Sequence, residues 1–271
     1  MWSVVDTEVI HALTYRTSGA DKPVVRTLEF TMVVYRSEYT CACFVVTSDL
    51  QGRERAKANR LLGEVVAEEL AKLVAWGTIP TVDFYCLCGD FYDYPDLHAR
   101  GGTGEVSSVL NAFGASRVPV LAVAGNHDLI EEPLDSTVTL LDGAIVECAG
   151  MRTGGVGGIV GNPERNQRKT DKAFVEALQA VLLELPHLVL LHQGPEGPTE
   201  RHKGWGELNS ELTLHSGMLV CFGHTQWPEA FYEESENLYC NVDSRVLVFV
   251  SAANSTPSLR PKDARRVRST M

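Results

Sequence analysis

Residues 84–93 read FYCLCGDFYD, and residues 118–128 read VPVLAVAGNHD. In each, a short apolar run gives way to glycine and then to side chains of the kind that bind metals or phosphates. These are Asp90 and Asp93 in the first stretch, Asn126 and His127 in the second. Runs this short, closed by turn residues, read as buried strands. The same arrangement recurs on both sides. CACFVVTS (41–48) is followed by Asp49-Leu50-Gln51-Gly52, HLVLL (187–191) by His192-Gln193, and MLVCF (218–222) by Gly223-His224-Thr225-Gln226. One such end alone says little, since aspartate after a strand is commonly a helix N-cap and Gly-Asn a turn. Turn chemistry does not readily supply five in succession. Ligand-type residues in α/β folds gather outside the carboxyl ends of strands, so the five ends predict one site.

The segments between these ends predict helices. RERAKANRLLGEVVAEELAKLVAWG (53–77) puts Leu61, Leu62, Val65, Val66, Leu70, Leu73 and Val74 on one stripe, with Gly77 as C-cap. VSSVLNAFG (106–114), TDKAFVEALQAVLLELP (170–186) and GELNSELTLHSG (206–217) predict three more. The second of these carries Phe174, Leu178, Val181, Leu182 and Leu185 inward. Strands alternating with helices predict an α/β (α+β) fold with mainly parallel strands covered by helices. AIVECAGMRTGGVGGIVG (144–161) reads as a hairpin crossing to a second sheet, and LYCNVDSRVLVFVS (238–251) as two strands joined by a tight polar turn. Residues 1–38 form an N-terminal β arm by weak alternation, with SGADKP (18–23) as its turn. An exposed alternating strand invites pairing, with the sheet edge or with a second subunit, so a homo-oligomer through this arm is an expectation. The main domain is placed at 39–251 and a basic tail at 252–271.

The net charge of −11 argues against nucleic-acid polymers as partners. No apolar run approaches the roughly 20 residues that span a bilayer, and the acidic, alternating N-terminus is no signal peptide. The seven cysteines include pairs two apart, Cys41/Cys43 and Cys86/Cys88, in apolar runs. That spacing reads as buried hydrophobes on one strand face, with a redox or metal role as the rarer alternative. Free thiols point to the reducing cytoplasm.

Taken in order, the five fragments resemble the calcineurin-like metallophosphoesterase superfamily, whose pattern is D-x-H, G-D-x-x-D, G-N-H-D/E, a histidine after a strand, and G-H-x-H. The resemblance runs from about Cys41 to Val250. It implies a sandwich of two mixed β-sheets flanked by helices, around two divalent ions about 3.5 Å apart. By position, Asp90, Asn126, His192 and His224 would hold the second ion, and Asp90 would bridge to a first ion bound also by Asp49. The resemblance gives His127 the role of general acid and Asp93 that of orienting it. It implies hydrolysis of a phosphoester by a metal-activated water. The expected substrate is a small phosphodiester or nucleotide, and no large cap insertion is visible, which leaves an open site.

Two positions depart from the pattern. Gln51 and Gln226 stand where the family has the two histidines of the first ion. The resemblance then implies an all-oxygen first site of Asp49, Asp90 and two amide carbonyls, weaker and suited to Mg²⁺, Mn²⁺ or Ca²⁺ over Zn²⁺. The cofactor expectation is one or two divalent ions, Mn foremost, with Mg, Fe or Zn as alternatives. Three readings stay open: an enzyme with unlike sites, a single-metal phosphoesterase, or a non-catalytic metal- and phosphate-binding protein. Arg165, Asn166 and Arg168, in the loop GNPERNQRKTD, are candidate substrate contacts, and a plain solvated loop is the alternative. Tyr92, Tyr94, His202 and Trp205 are further residues that could face the site or simply pack.

Overall fold

A computed structural model describes residues 1–39, 41–99 and 101–253; the basic tail from residue 254 onward lies outside the described residues. The chain runs β1 (Ser3–Thr17), β2 (Val24–Arg36), β3 (Cys43–Ser48), α1 (Leu62–Ala75), β4 (Phe84–Leu87), β5 (Gly104–Glu105) and α2 (Ser107–Gly114). It continues with β6 (Val120–Ala122), β7 (Asp128–Leu129), β8 (Val138–Leu140), β9 (Ala144–Cys148), β10 (Met151–Val156), β11 (Ile159–Val160), β12 (Arg168–Lys169) and α3 (Asp171–Leu183). The last part holds β13 (Leu188–Gln193), α4 (Gly206–Leu212), β14 (Leu219–Gly223), β15 (Phe231–Glu234), β16 (Asn237–Asn241) and β17 (Arg245–Ser251). None of the helices is long and apolar enough to cross a membrane.

Two mixed sheets face each other. The first has the order β1-β2-β17-β3-β4-β6-β8 and the second β15-β16-β14-β13-β10-β9. Strands β3, β4, β6 and β8 are mutually parallel, as are β10, β13, β14 and β16. Parallel neighbours point their carboxyl ends the same way, which brings the five motif-bearing ends to one rim. Period-two alternation divides each central strand between two cores. In β3, Phe44 and Val46 face the sandwich interior, while Cys43 and Val45 face α1 and α2. Phe44 stacks between Phe84 and Phe249 at ring separations of 5.2 and 4.7 Å. Outside the second sheet, α3 and α4 bury Phe174, Leu178, Val181 and Leu208 against Val189, Leu191, Val220 and Phe222.

The sequence expectations meet the structure unevenly. The first helix begins at Leu62, where its apolar stripe begins but nine residues after the start of the segment read as helical at Arg53. Residues before it are held in a loop, where Arg53 exchanges backbone hydrogen bonds with Arg16 and Asn59 adopts φ 56°. Its end is as read: Gly77 takes φ 71°, and Thr78 N–H donates to Leu73 O in a Schellman closure. Leu185 is exposed rather than inward, because α3 stops at Leu183. All seven cysteines are free. Cys86 and Cys88 share the sandwich interior, but Cys41 and Cys43 fall in different cores because the strand starts only at Cys43. The arm forms a β1–β2 hairpin, and β2 pairs in parallel with β17 at the edge of the first sheet. The polar turn at 242–244 does not close a hairpin. It carries the chain from β16 in the second sheet to β17 in the middle of the first.

Candidate metal centre

Three of the motif residues sit in left-handed backbone at their strand ends: Asp49 (φ 54°), Asp90 (φ 59°) and His224 (φ 66°). That conformation is costly for a residue with a Cβ and persists only where the surroundings impose it. Here it turns each side chain back over the end of its sheet. Gly125 lets two of these ends meet, because any Cβ there would collide with the Asp90 backbone and carboxylate. Gly223 does the same against Ser48 and Asp49.

Asp90 is 2% exposed and is the hub. Its Oδ1 accepts from His127 N–H at 2.9 Å. Its Oδ2 lies 3.4 Å from His192 Nε2, 3.9 Å from His127 Nε2 and 3.4 Å from the Gln51 amide nitrogen. Asn126 Oδ1 is 3.3 Å from the same His192 Nε2. His192 Nδ1 donates to Cys88 O at 2.7 Å, which leaves Nε2 as the nitrogen that faces the cluster. Ligand atoms of Asp90, His192 and His224 all lie within 4.8 Å of one another. Asp49 stands to one side of that group, its Oδ2 accepting from Ser48 Oγ (2.7 Å) and His224 N–H (2.9 Å).

The charges fit divalent cations. Burial, and next the neighbouring Asp243, hold Asp49 well above the usual carboxylate range. Burial would raise Asp90 as well, but His192 and then His127 outweigh it and bring it below its ordinary value. Burial disfavours a charged His192, yet Asp90 and Asp49 pull it up to about 10. The carboxylates therefore hold a proton where a cation would answer the same field. His224 is pushed down to about 4, by burial and then by His192, which leaves it a neutral donor. Buried acids of this kind are found paired or bound to metal.

A family model described as calcineurin-like phosphoesterase matches residues 44–228, more than half of the chain. The chain belongs to that family. It is accordingly a phosphoester hydrolase that depends on divalent metal. No curated protein is significantly similar to this phosphoesterase in sequence. Among solved structures, it is similar to a Thermus thermophilus protein, TT1561, at 17% identity and a TM-score of 0.51, covering 76% of this chain and 91% of that one. A dimetal phosphatase from Danio rerio matches at 14% identity and TM-score 0.44, over 75% and 87% of the two chains. A purple acid phosphatase from yellow lupin (Lupinus luteus) seeds matches at 13% and 0.43, over 87% and 50%. The first of these likenesses shows the fold.

Asp49, Gln51, Asp90, Asp93, His127, His224 and Gln226 all line one cavity of about 630 Å³, with Asn126 and His192 behind it. The pairing expected between Asp93 and His127 is not made. Asp93 accepts instead from Thr17 Oγ1 (3.3 Å) and Tyr94 N–H (2.9 Å), while His127 Nδ1 is buried without a partner among the described residues. The arm thus occupies the acid that the motif would have given to the histidine. The loop 161–170 stays off the cavity wall. Asn166 donates to the carbonyls of Asn126 and Asp128, bracing the motif from outside, Arg165 is exposed, and Arg168 is half-buried on β12. Tyr92 and Tyr94 pack edge to face, His202 bonds Thr199 and Glu229, and Trp205 packs on Phe174.

Four groups of residues escaped the sequence reading. Asp128, 1% exposed, accepts from the N–H groups of Asp90, Phe91 and Gly125, tying the ends of β4 and β6 together. Burial and then Asp90 raise it to about 6. Ser48 braces Asp49 from β3. Asp243 faces the cavity from the crossing turn. Tyr15, Thr17, Ser18 and Arg26 of the N-terminal hairpin, which precede the family match, wall its open side. Only Asp128, the last letter of Gly-Asn-His-Asp, had a signal to follow.

Proposed function

We propose that this chain hydrolyses a small phosphodiester or nucleotide, with Asp90, Asn126, His192 and His224 holding one divalent ion and Asp49, Gln51, Gln226 and Asp90 a second. The convergence of Asp90, His192 and His224 within 4.8 Å, beside an imidazole that faces the same cavity, carries this reading. When bound, the ions polarise the phosphoryl oxygens and make a water acidic, and Mn²⁺ suits both donor sets. Asp90, whose Oδ2 lies 3.4 Å from both His192 Nε2 and the Gln51 amide nitrogen, would be the residue the two ions share. His127, whose Nε2 faces the cavity, donates a proton to the departing oxygen. A cavity of about 630 Å³ supports a small phosphorylated molecule as the substrate. Seven free cysteines support a reducing compartment such as the cytoplasm. The outer edge of β1 offers a surface for a second copy, which size measurement after removing the hairpin checks.

Hydrolysis of bis-p-nitrophenyl phosphate and p-nitrophenyl phosphate, across Mn²⁺, Mg²⁺, Fe²⁺ and Zn²⁺ with metal content measured in parallel, tests the reaction. Turnover that follows metal loading and favours the diester is expected. A metal-loaded protein inert toward both would favour the binding-protein reading.

Arg26 is the hairpin's contribution to recognition. It is exposed at the cavity mouth, opposite Tyr15 in the β1–β2 register, with no ion pair among the described residues. A guanidinium so placed pairs with an anionic group of the substrate. Arg26→Ala is expected to raise KM roughly 10-fold, the worth of about 1.4 kcal/mol, with kcat nearly unchanged. An unchanged KM would remove Arg26 from substrate binding.

A further inference from the structure

We propose that Asp243 is a ligand of the ion on the Asp49 side, where it supplies the anionic donor that Gln51 and Gln226 do not, and makes that position a three-carboxylate site for a hard divalent cation. The inference rests on the metal-dependent reading above and adds a ligand outside the matched family region, which ends at residue 228.

The crossing from β16 to β17 brings Asp243 there. Ser48 and Asp243 form an isolated parallel bridge, Ser244 N–H donates to Ser48 O at 3.1 Å, and Ser244 Oγ reaches Asp49 O at 3.4 Å. Asp243 is therefore fastened beside the residue that carries Asp49. Its side chain is 8% exposed and lines the same cavity as Asp49, Gln51, Asp90 and Gln226. One carboxylate oxygen accepts from Ser244 Oγ at 2.8 Å. The nearest cation is turned elsewhere: Arg245 donates to Asn241, to Trp227 O and to the backbone carbonyl of Asp243, not to its carboxylate. Among the described residues, no lysine or arginine makes an ion pair with Asp49, Asp90 or Asp243. Asp90 and Asp243, both buried, and the half-buried Asp49 gather with only the His192 imidazole beside Asp90, and a group so rich in acid calls for a bound cation or a proton. Asp49 and Asp243 lie outside the tight Asp90–His192–His224 group, as ligands of a neighbouring ion would. Carboxylate oxygens with neutral amide carbonyls select Mg²⁺ or Mn²⁺, whereas imidazoles would favour Zn²⁺.

The test is Mn²⁺ binding to the metal-stripped full-length chain by titration calorimetry. Wild type is expected to bind two ions, one tightly. Asp243→Asn keeps the shape and an acceptor for Ser244, and should retain the tight ion while weakening the other at least about 10-fold. Two ions bound as in wild type would overturn the inference and leave the phosphoesterase reading intact. A wild-type chain that binds no divalent ion would overturn that reading itself. Asp243→Cys gives a second measurement: with Co²⁺ it should show a thiolate-to-metal charge-transfer band absent from wild type. A folded Asp243→Cys protein that takes up two Co²⁺ ions without that band would also overturn the assignment.

Discussion

His127→Ala is expected to lower turnover by roughly 10²–10⁴-fold, the usual worth of a positioned proton donor, while metal content stays at the wild-type level. The separation follows from geometry. The His127 backbone N–H holds Asp90 Oδ1, and alanine keeps that bond. The imidazole is 24% exposed and stands 3.9 Å from Asp90 Oδ2, so it faces the cavity without completing the ligand group. The loss should be smaller for a substrate with a good leaving group, such as a nitrophenyl ester, than for an alkyl ester, because a good leaving group needs less help from a proton. Equal turnover in the variant on both substrates would take His127 out of the reaction. Asp93→Asn should cost little in turnover, because Asp93 binds Thr17 and Tyr94 and not His127. A loss as large as that of His127→Ala would show that the two residues pair when substrate is bound.

Asp128→Asn is expected to damage both the fold and the site. Its carboxylate receives three buried N–H groups, and an amide offers one oxygen in place of two. At least one donor is then left facing an NH₂ group, at about 1–3 kcal/mol. In a chain of this size each kcal/mol moves the melting temperature by about 2–4 °C, so a fall of roughly 2–12 °C is expected. The same bonds fix Asp90 in its left-handed conformation, and metal affinity should fall about 10–100-fold in parallel. A calorimetric scan with metal analysis decides: an unchanged melting temperature with full metal content would show that other bonds set the end of β4.

The five strand ends were legible because each joins a short apolar run to a residue type with narrow uses. His192 and His224, far apart in sequence, come together for the reason the sequence suggested: their strands are parallel neighbours with carboxyl ends on one rim. The late start of α1 was not legible, because residues 53–61 have helical composition and are held in a loop by tertiary bonds to Arg16. Asn166 reads as a substrate contact in sequence and is a brace in space, since an amide in a polar loop looks the same in either use. Asp243 was hidden for a different reason. A turn between two strands gives no sign of whether those strands share a sheet, and here they do not.

The place of β17 also sets an order of events for a chain made from its N-terminus. Among the described residues, β2 meets the rest of the first sheet through β17 alone, and β17 comes after every other strand. The β1–β2 hairpin must therefore wait, with its apolar face of Leu28, Phe30 and Met32 only partly covered, until β17 slides in beside it. Until β17 is in place the sheet is in two pieces, and the wall carrying Tyr15 and Arg26 is tied to the domain by loop bonds such as Arg16 to Arg53 and Thr17 to Asp93. Catalytic competence should thus appear only once β17 has joined the two pieces, and the waiting hairpin is the part of the nascent chain most in need of a chaperone.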